Sequence, residues 1–599
     1  MPRIQIVDLQ APMGSVPQGT DFSGIHGHPS KLPARVAQKL SEAIPFPSFA
    51  QYMSRCLFDP AFGYYSTGKV AFGSDKHFFT YPSEMRPVFG WMLAENALFL
   101  LKALLGRKAM PPGAPLTIME LGGGEGLLAK DVLDYISDKA MTARWRSIAN
   151  KIQYVLIEKS PSLRERQEKC LKEYIRSNRA RVIEADASHL KWKGCFYGIV
   201  FANELMDAFP CERIRIFDSG LHCSRVHVVP FLKQKISGVA PGSFPQYFQP
   251  FVDKGYIPMD SNSLWSYIVN SYGHKTTIYD LKKLNFKELE VPISLGWIND
   301  DGDPDSPPGD LMGYFEVIRP LVSDLEACGL LPADLLWSPI LPRFVRSLSK
   351  LFHGKDRCGV ALFIDYGGTS RHVLDPRSFG PHFRVYGDDE SSKHRLSIYG
   401  MPGHRDMTWD VDFSELARLA KGQSLDAVFF GHQAALERQP IHLLEKPSQK
   451  TLFQTMLRQR TPDARLASLA AQTIVARFRE APGFRMILLA PQWLGGIKHP
   501  FGPCDPLFVD ALDTVSPDMD MKAFEQMLSK HGLSEKVKDC VKPCGDPIAD
   551  LSDLRLYRNR KTIMQWLREQ GYLVSPGTLG RQYFLLNTYS KKKISNNSY

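Results

Sequence analysis

Apolar and polar positions along this chain follow two rhythms. From Pro115 onward, short and almost fully apolar runs stand between longer stretches with helical spacing. The runs at 116–121, 153–158 (QYVLIE), 181–185 and 197–203 (YGIVFAN) predict strands. The stretches at 126–136 and 162–176 predict helices. Strands and helices alternating at this spacing predict parallel β-α-β units. The rhythm stops over 218–350, which reads as irregular, with a Pro/Gly/Phe-rich piece from Val239 and an acidic loop from Asn299 to Asp305. It resumes at 360–367, an apolar strand that ends in Asp365. A helix (413–421), a strand (426–430), a helix (466–477) and a strand (484–489) follow.

Ahead of this core, residues 1–43 are Gly/Pro-rich and then helical near Leu32–Ala43, an arm. Ser48 to Leu57 has helical apolar spacing, with Ser48 as its cap. Asp59–Tyr65 reads as a turn, and 86–105 as a long apolar helix. No run of 18 apolar residues is present, so no membrane span is expected. Beyond 495 lies a tail with helices at 523–531 and 560–570 and a short basic end, Ser590-Lys-Lys-Lys. The expected organisation is an arm (1–45), a helical lid (46–110), a first core half (111–217), an insertion (218–357), a second core half (358–494) and an extension (495–599).

Composition narrows the class. With 599 residues, 44% of them apolar and 23% charged, the chain has material for a large globular core. A net charge of +11 permits an acidic partner without requiring one. The ten cysteines have no repeating spacing, and Cys540/Cys544 lack the second pair a zinc site needs, so no metal is expected. The acidic loop lacks the glutamate of a calcium loop and reads as solvated. The N-terminus reads neither as a signal peptide nor as a good transit peptide.

The chemistry concentrates at Glu120-Leu-Gly-Gly-Gly-Glu-Gly126. A strand ending in an acid runs through Gly122, Gly124 and Gly126 into a helix. Glycines there let the backbone bend and approach a ligand, and the helix start offers free N–H groups. The spacing is not the G-x-G-x-x-G of dinucleotide enzymes. His77, His404 and His432 are isolated and read as surface or loop residues, which also speaks against an NAD enzyme. The shorter turn suits S-adenosylmethionine. Such a site also needs an acid after the second strand for the ribose, supplied by Glu158. A polar group after the third strand, Asp186, would stand near the adenine. Asn203, Glu204 and Asp207 follow the fourth strand and would face the substrate. Ligands bind at the carboxyl ends of such strands, where all of these fall. If the methyl acceptor is a guanidinium, Glu204 is the candidate to hold it, beside Asn203 and Asp207.

These motifs resemble the MidA family of mitochondrial and bacterial methyltransferase-fold proteins. The matches include Phe49-Ala-Gln-Tyr-Met, Asp59-Pro-Ala-Phe-Gly-Tyr-Tyr, Ala202-Asn-Glu-Leu-Met-Asp-Ala-Phe-Pro210, Phe363-Ile-Asp-Tyr-Gly367 and Asp406-Met-Thr-Trp-Asp-Val-Asp-Phe413. The resemblance covers about 46–215 and 358–490. It implies a class I methyltransferase fold, a mostly parallel doubly wound α/β sheet. The human member is a complex I assembly factor that methylates an arginine, so a mitochondrial matrix location and a protein partner are implied. The chain departs from the family at Thr80–Glu84, one residue longer, and at Gly123, often Pro. An inactive fold kept as an assembly scaffold, docking on protein, RNA or a ribosome, is the alternative.

Overall fold

The computed structural model describes residues 5–7, 46–68, 86–107, 110–137, 145–233, 256–272, 281–292, 310–374, 382–387, 398–437 and 484–501, apart from a few single positions. Most of the expected arm, the Thr80–Glu84 segment, His77, the 239–248 piece, the 299–305 loop, the 466–477 helix and the tail beyond 501, with Cys540 and Cys544, lie outside the described residues.

The expected α/β sheet is present. Its strands are β1 (Leu116–Leu121), β2 (Ile152–Glu158), β3 (Ala180–Glu184) and β4 (Phe196–Asn203), then β9 (Arg357–Gly368), β10 (Leu425–His432) and β11 (Phe484–Pro491). The order across the sheet is β10-β11-β9-β4-β1-β2-β3. Only β11 runs antiparallel to its neighbours. Every residue of β1 is buried, as continuous apolar strands must be when helices cover both faces. The chain leaves β1 towards β2 and β3, then returns to β4 on the other side. That reversal opens a crevice at the carboxyl ends of β1 and β4.

Helices α2 (Val88–Gly106) and α3 (Leu127–Ser137) cover one face, burying Trp91, Leu98, Leu101 and Leu133 against Ile118, Tyr154 and Ile199. Helices α6 (Ile340–Phe352) and α7 (Phe413–Gly422) cover the other, with Phe344, Leu348 and Phe413 against Met119, Val200 and Phe363. Helix α2 is long and apolar enough to cross a membrane by length and composition, but 78% of its apolar window is buried inside the fold. It is therefore a core layer. The covering role expected of 46–110 falls to α1 (Phe49–Phe58) and the turn after it. Ser48 caps α1 with the reciprocal Gln51 bond, as its position predicts.

The irregular reading of 218–350 does not hold. A second sheet of antiparallel strands occupies this region. It consists of β5 (Glu212–Ile216), β6 (Cys223–Lys233), β7 (Leu284–Pro292) and β8 (Ala333–Trp337), with Gln5–Val7 at the edge of β7. Helix α5 (Asp310–Ala327) packs on it. The sheet already starts at Glu212, and α6 belongs to the core of the main sheet. The strands escape notice because charges sit at buried positions. Arg213 pairs with Glu288 and, at 2.6 Å, with Asp334. Arg215 reaches Glu290 at 2.6 Å and Asp334 at 3.0 Å, and Arg225 pairs with Glu212. In β7 the run Lys287-Glu-Leu-Glu290 reads as surface, yet Glu288 and Glu290 are buried.

Breaking a buried ion pair strands a charge and costs about 3–5 kcal/mol. Arg213→Ala should destabilise the protein by that order in urea unfolding, because it leaves buried Glu288 with the Tyr399 hydroxyl but no cation and takes one of two cations from Asp334. Burial pushes the Asp334 carboxyl up, but Arg213 and Arg215 outweigh it and hold it at about 2. A carboxyl held low stabilises the fold above its unfolded value and loses that contribution as pH falls towards 2. The Arg213→Ala deficit should therefore shrink between about pH 4 and pH 2. An undiminished deficit at pH 2 would place the cost in packing.

Candidate active site

At the end of β1 the chain bends through Gly122, Gly124 and Gly126, whose φ values are +68°, +52° and +79°. Side chains adopt this region at a cost, so the turn requires glycine. A Cβ on Gly122 would stand 2.8 Å from Leu205 Cδ1. The Gly122 N–H donates to the Ile157 carbonyl at 3.0 Å, tying the turn to β2. Gly126 does a different job. Its absent side chain lets α4 (Pro161–Cys170) come close, since a Cβ would meet Gln167 Cα at 3.2 Å.

A cavity of about 330 Å³ opens over this turn. Glu120, Gly122, Gly124, Glu158, Asp186, Asn203, Glu204 and Asp207 all line it; Gly126 stands behind it. Ser54, Phe58 and Tyr65, from α1 and its following turn, close one side.

Glu120 is buried and accepts the Tyr154 hydroxyl at 2.8 Å; burial raises its carboxyl to about 7. Glu158 ends β2. It accepts the Ser160 N–H at 2.8 Å and the Gln167 amide at 3.2 Å, which ties it to the start of α4. An ionised carboxylate has about four acceptor sites, so capacity remains for ligand hydroxyls. Burial also raises Glu158. Asp186 caps the short 187–189 turn through Ser188 at 2.6 and 2.9 Å, and meets Lys159 at 2.9 Å. Burial pushes Asp186 up, but Lys159 and Ser188 win and hold it low.

The 203–207 segment follows β4. Asn203 donates to Glu204 at 2.8 Å, and Glu204 has φ +49°, unusual for a side chain of this size. One oxygen of Asp365 accepts the N–H groups of Leu205, Met206 and Asp207 at 3.2, 2.9 and 3.3 Å. Asp365 is fully buried at the end of β9; burial raises it, and Asp207 and Glu204 add to the rise. Asp406 enters from the strand Asp406–Trp409 and accepts the Tyr65 hydroxyl at 2.9 Å. Burial raises Asp207 and Asp406 to about 7 each, and Asp406 adds to the rise at Asp207. Asn203 Oδ1 and Asp406 Oδ2 are buried without a hydrogen-bond partner. Buried atoms of this kind call for an explanation, and on the wall of a cavity a ligand supplies one.

The family described as "Putative S-adenosyl-L-methionine-dependent methyltransferase" matches residues 92–431. The chain belongs to that family. It is also similar to the mitochondrial protein arginine methyltransferase NDUFAF7 homolog of Drosophila melanogaster, 27% identical over 214 residues. That alignment spans 32% of this chain and 43% of the relative, less than half its length. Among solved structures it is similar to a Burkholderia thailandensis protein bound to S-adenosyl-homocysteine (20% identity, TM-score 0.44, 78% of this chain and 96% of that one). A second crystal structure from that organism matches at 19% identity and TM-score 0.42, covering 77% and 94%.

The family is described by its dependence on S-adenosylmethionine, and the residues present fit that cofactor. The cavity lies over the glycine turn, Glu158 offers acceptors to a sugar, and an acidic wall suits a sulfonium. Sequence reasoning gave no role to Asp365, Asp406, Tyr65 or Ser188. Asp365 carried a signal, an apolar strand ending in an acid like Glu120 and Glu158. Elsewhere His404 lies in a loop as expected, stacked on Tyr272 with ring centres 5.1 Å apart, whereas His432 is buried at the end of β10 and is neither surface nor loop. His372, His382 and Asp410 could gather round a metal ion, but Arg384 already holds Asp410 at 2.6 Å.

Removing one charged acceptor costs about 1.5–3 kcal/mol. Glu158→Ala should weaken S-adenosylmethionine binding by that amount in calorimetry. Unchanged affinity would place the ribose elsewhere in the cavity.

Proposed function

We propose that this methyltransferase modifies an arginine side chain of a protein, on a respiratory complex I subunit in the mitochondrial matrix during assembly. One observation carries the choice of acceptor. Glu204, Asp207 and Asp406 line the same cavity as the glycine turn, and Asp406 presents a buried, unpaired oxygen. A guanidinium is planar, always charged and matches carboxylates two bonds at a time. The name of the Drosophila relative points the same way.

The bound cofactor supplies an activated methyl group; the chain's own residues position the acceptor. Glu204 holds the guanidinium, with Asn203 fixing the Glu204 carboxylate from one side. Asp207 and Asp406 add negative potential beneath it and take the proton that the nitrogen gives up on methylation. Held near neutrality by burial, either can accept a proton at working pH. Orientation towards the methyl group supplies the rest of the rate. An inactive assembly scaffold is the competing reading. The unpaired Asn203 and Asp406 oxygens favour an occupied, working site over it, and no feature of the comparisons favours docking on RNA.

Glu204→Gln should keep S-adenosylmethionine binding within about twofold and lower methylation of arginine peptides by about 10²-fold or more, since charge-holding groups of this kind contribute that order. Mass spectrometry of the product peptide reads it. Retained turnover would remove Glu204 from the mechanism, and lysine methylation in its place would overturn the acceptor.

The pH profile follows from Asp207 and Asp406. Both bind a cation only when ionised, so kcat/KM should rise with pH between about 6 and 8 and then level. Asp406→Asn removes the charge that raises Asp207. Its residual activity should therefore rise at lower pH than in the parent protein. A profile that keeps its midpoint would show that the two carboxyls do not act together.

A further inference from the structure

A second cavity, of about 370 Å³, opens between α6 and the 189–192 segment. Its wall carries Lys191, Arg343, Arg346, Lys350 and Arg357 together with Trp192, and none of its lining residues is acidic. Arg343, Arg346 and Lys350 stand at i, i+3 and i+7, so they share one face of α6. Burial raises the half-buried Asp310 carboxyl and outweighs Arg346, which also acts on it and lowers it. Arg357 pins the two walls together, donating to the Lys350 carbonyl at 2.7 Å and the Trp192 carbonyl at 3.1 Å. The indole of Trp192 is held by its own bond to the Cys195 carbonyl at 3.0 Å and lies edge-on to Phe196. His189 lines the same space with its Nδ1 buried and without a hydrogen-bond partner.

We propose that this cavity binds a nucleoside polyphosphate, with the phosphates against Arg343, Arg346 and Lys350 and the base against Trp192. Three cations spread along one helix face match a chain of phosphates better than a single carboxylate, and guanidinium forks suit phosphate oxygens. The apolar part of the wall, Leu190 and Leu351 with the fixed indole, provides a surface for a flat ring. The site adjoins the cofactor cavity and is separate from it. Arg343 lines both, and its Nη2 lies 3.5 Å from the Ser188 hydroxyl that supports Asp186. The proposal does not depend on which acceptor the methyltransferase uses.

Calorimetry on the full chain at fixed ionic strength tests it, with ATP, inorganic pyrophosphate and S-adenosyl-homocysteine as probes. ATP should bind saturably, also with S-adenosyl-homocysteine already bound. The double variant Arg346→Gln/Lys350→Gln should weaken ATP by at least about tenfold, a change of about 1.4 kcal/mol, while keeping its affinity for S-adenosyl-homocysteine. Should that variant fail to fold, Lys350→Gln alone should show the same direction. Pyrophosphate should bind more weakly than ATP, and Trp192→Ala should abolish that difference. The proposal fails if ATP competes with S-adenosyl-homocysteine, because ATP would then occupy the cofactor cavity. It also fails if the charge variants leave ATP binding unchanged, if no saturable binding occurs at millimolar ATP, or if pyrophosphate equals ATP.

Discussion

Three consecutive backbone amides, those of Leu205, Met206 and Asp207, converge on one oxygen of the buried Asp365 carboxylate. The arrangement works only because β4 and β9 are neighbours in parallel register, with Asn203 opposite Ile364. That register puts the end of one strand within reach of the loop leaving the other. Once the amides are held, Glu204 is forced to φ +49° and Asp207 is turned into the cavity. Leu205, on the same loop, sits where a side chain on Gly122 would collide with it. The glycine turn and the acidic wall are thus two sides of one constraint, and neither could be placed without the other.

Much of this was legible in the sequence because the main sheet obeys simple rules. Its strands are apolar throughout, and several end in acids, so the expected bounds of β1 and β4 lie within a residue of those observed. The eight cavity-lining candidates come from four strand ends that the fold levels. What escaped notice came from distant segments. Asp406 lies some 200 residues beyond Glu204, and no local pattern says that a short hairpin brings it back to the same hollow. Asp365 looked like one more strand-ending acid. Its task, collecting amides, depends on which strand lies beside it. The second sheet was lost for another reason: buried arginines and glutamates at alternate positions imitate a solvated segment when each is read without its partner across the strands.

The two sheets treat buried charge in opposite ways. In the antiparallel sheet every buried carboxylate named here faces a guanidinium: Glu212 with Arg225, Glu288 with Arg213, and Glu290 with Arg215. At Glu212 the guanidinium outweighs desolvation, while burial still raises Glu290 against Arg215; the ensemble is a structural lattice. At the cofactor cavity Asp207, Asp365 and Asp406 are brought together with much less compensation, and all three are raised by burial. Asp410, four residues on from Asp406, shows that the same hairpin can supply cations where structure alone is needed, since His382 and Arg384 both bind it.

Acids with so little compensation lower the stability of the fold, because burying an unpaired charge is costly and the carboxyls respond by holding protons near neutrality. Departures from local rules persist where function requires them. Here the departures coincide: the strained Glu204 backbone, the unpaired Asp406 and Asn203 oxygens, and the raised carboxyls of Asp207 and Asp406 all border one hollow. A cationic ligand would settle all of them together, ionising the carboxyls and filling the open hydrogen-bond positions. A neutral ligand would leave the charge problem where it was. Positive charge brought into this cavity, by the sulfonium of the cofactor or by a cationic acceptor, answers that imbalance; for the proposed acceptor, the planar fork of an arginine can meet two carboxylate oxygens at once where a lysine is a point charge.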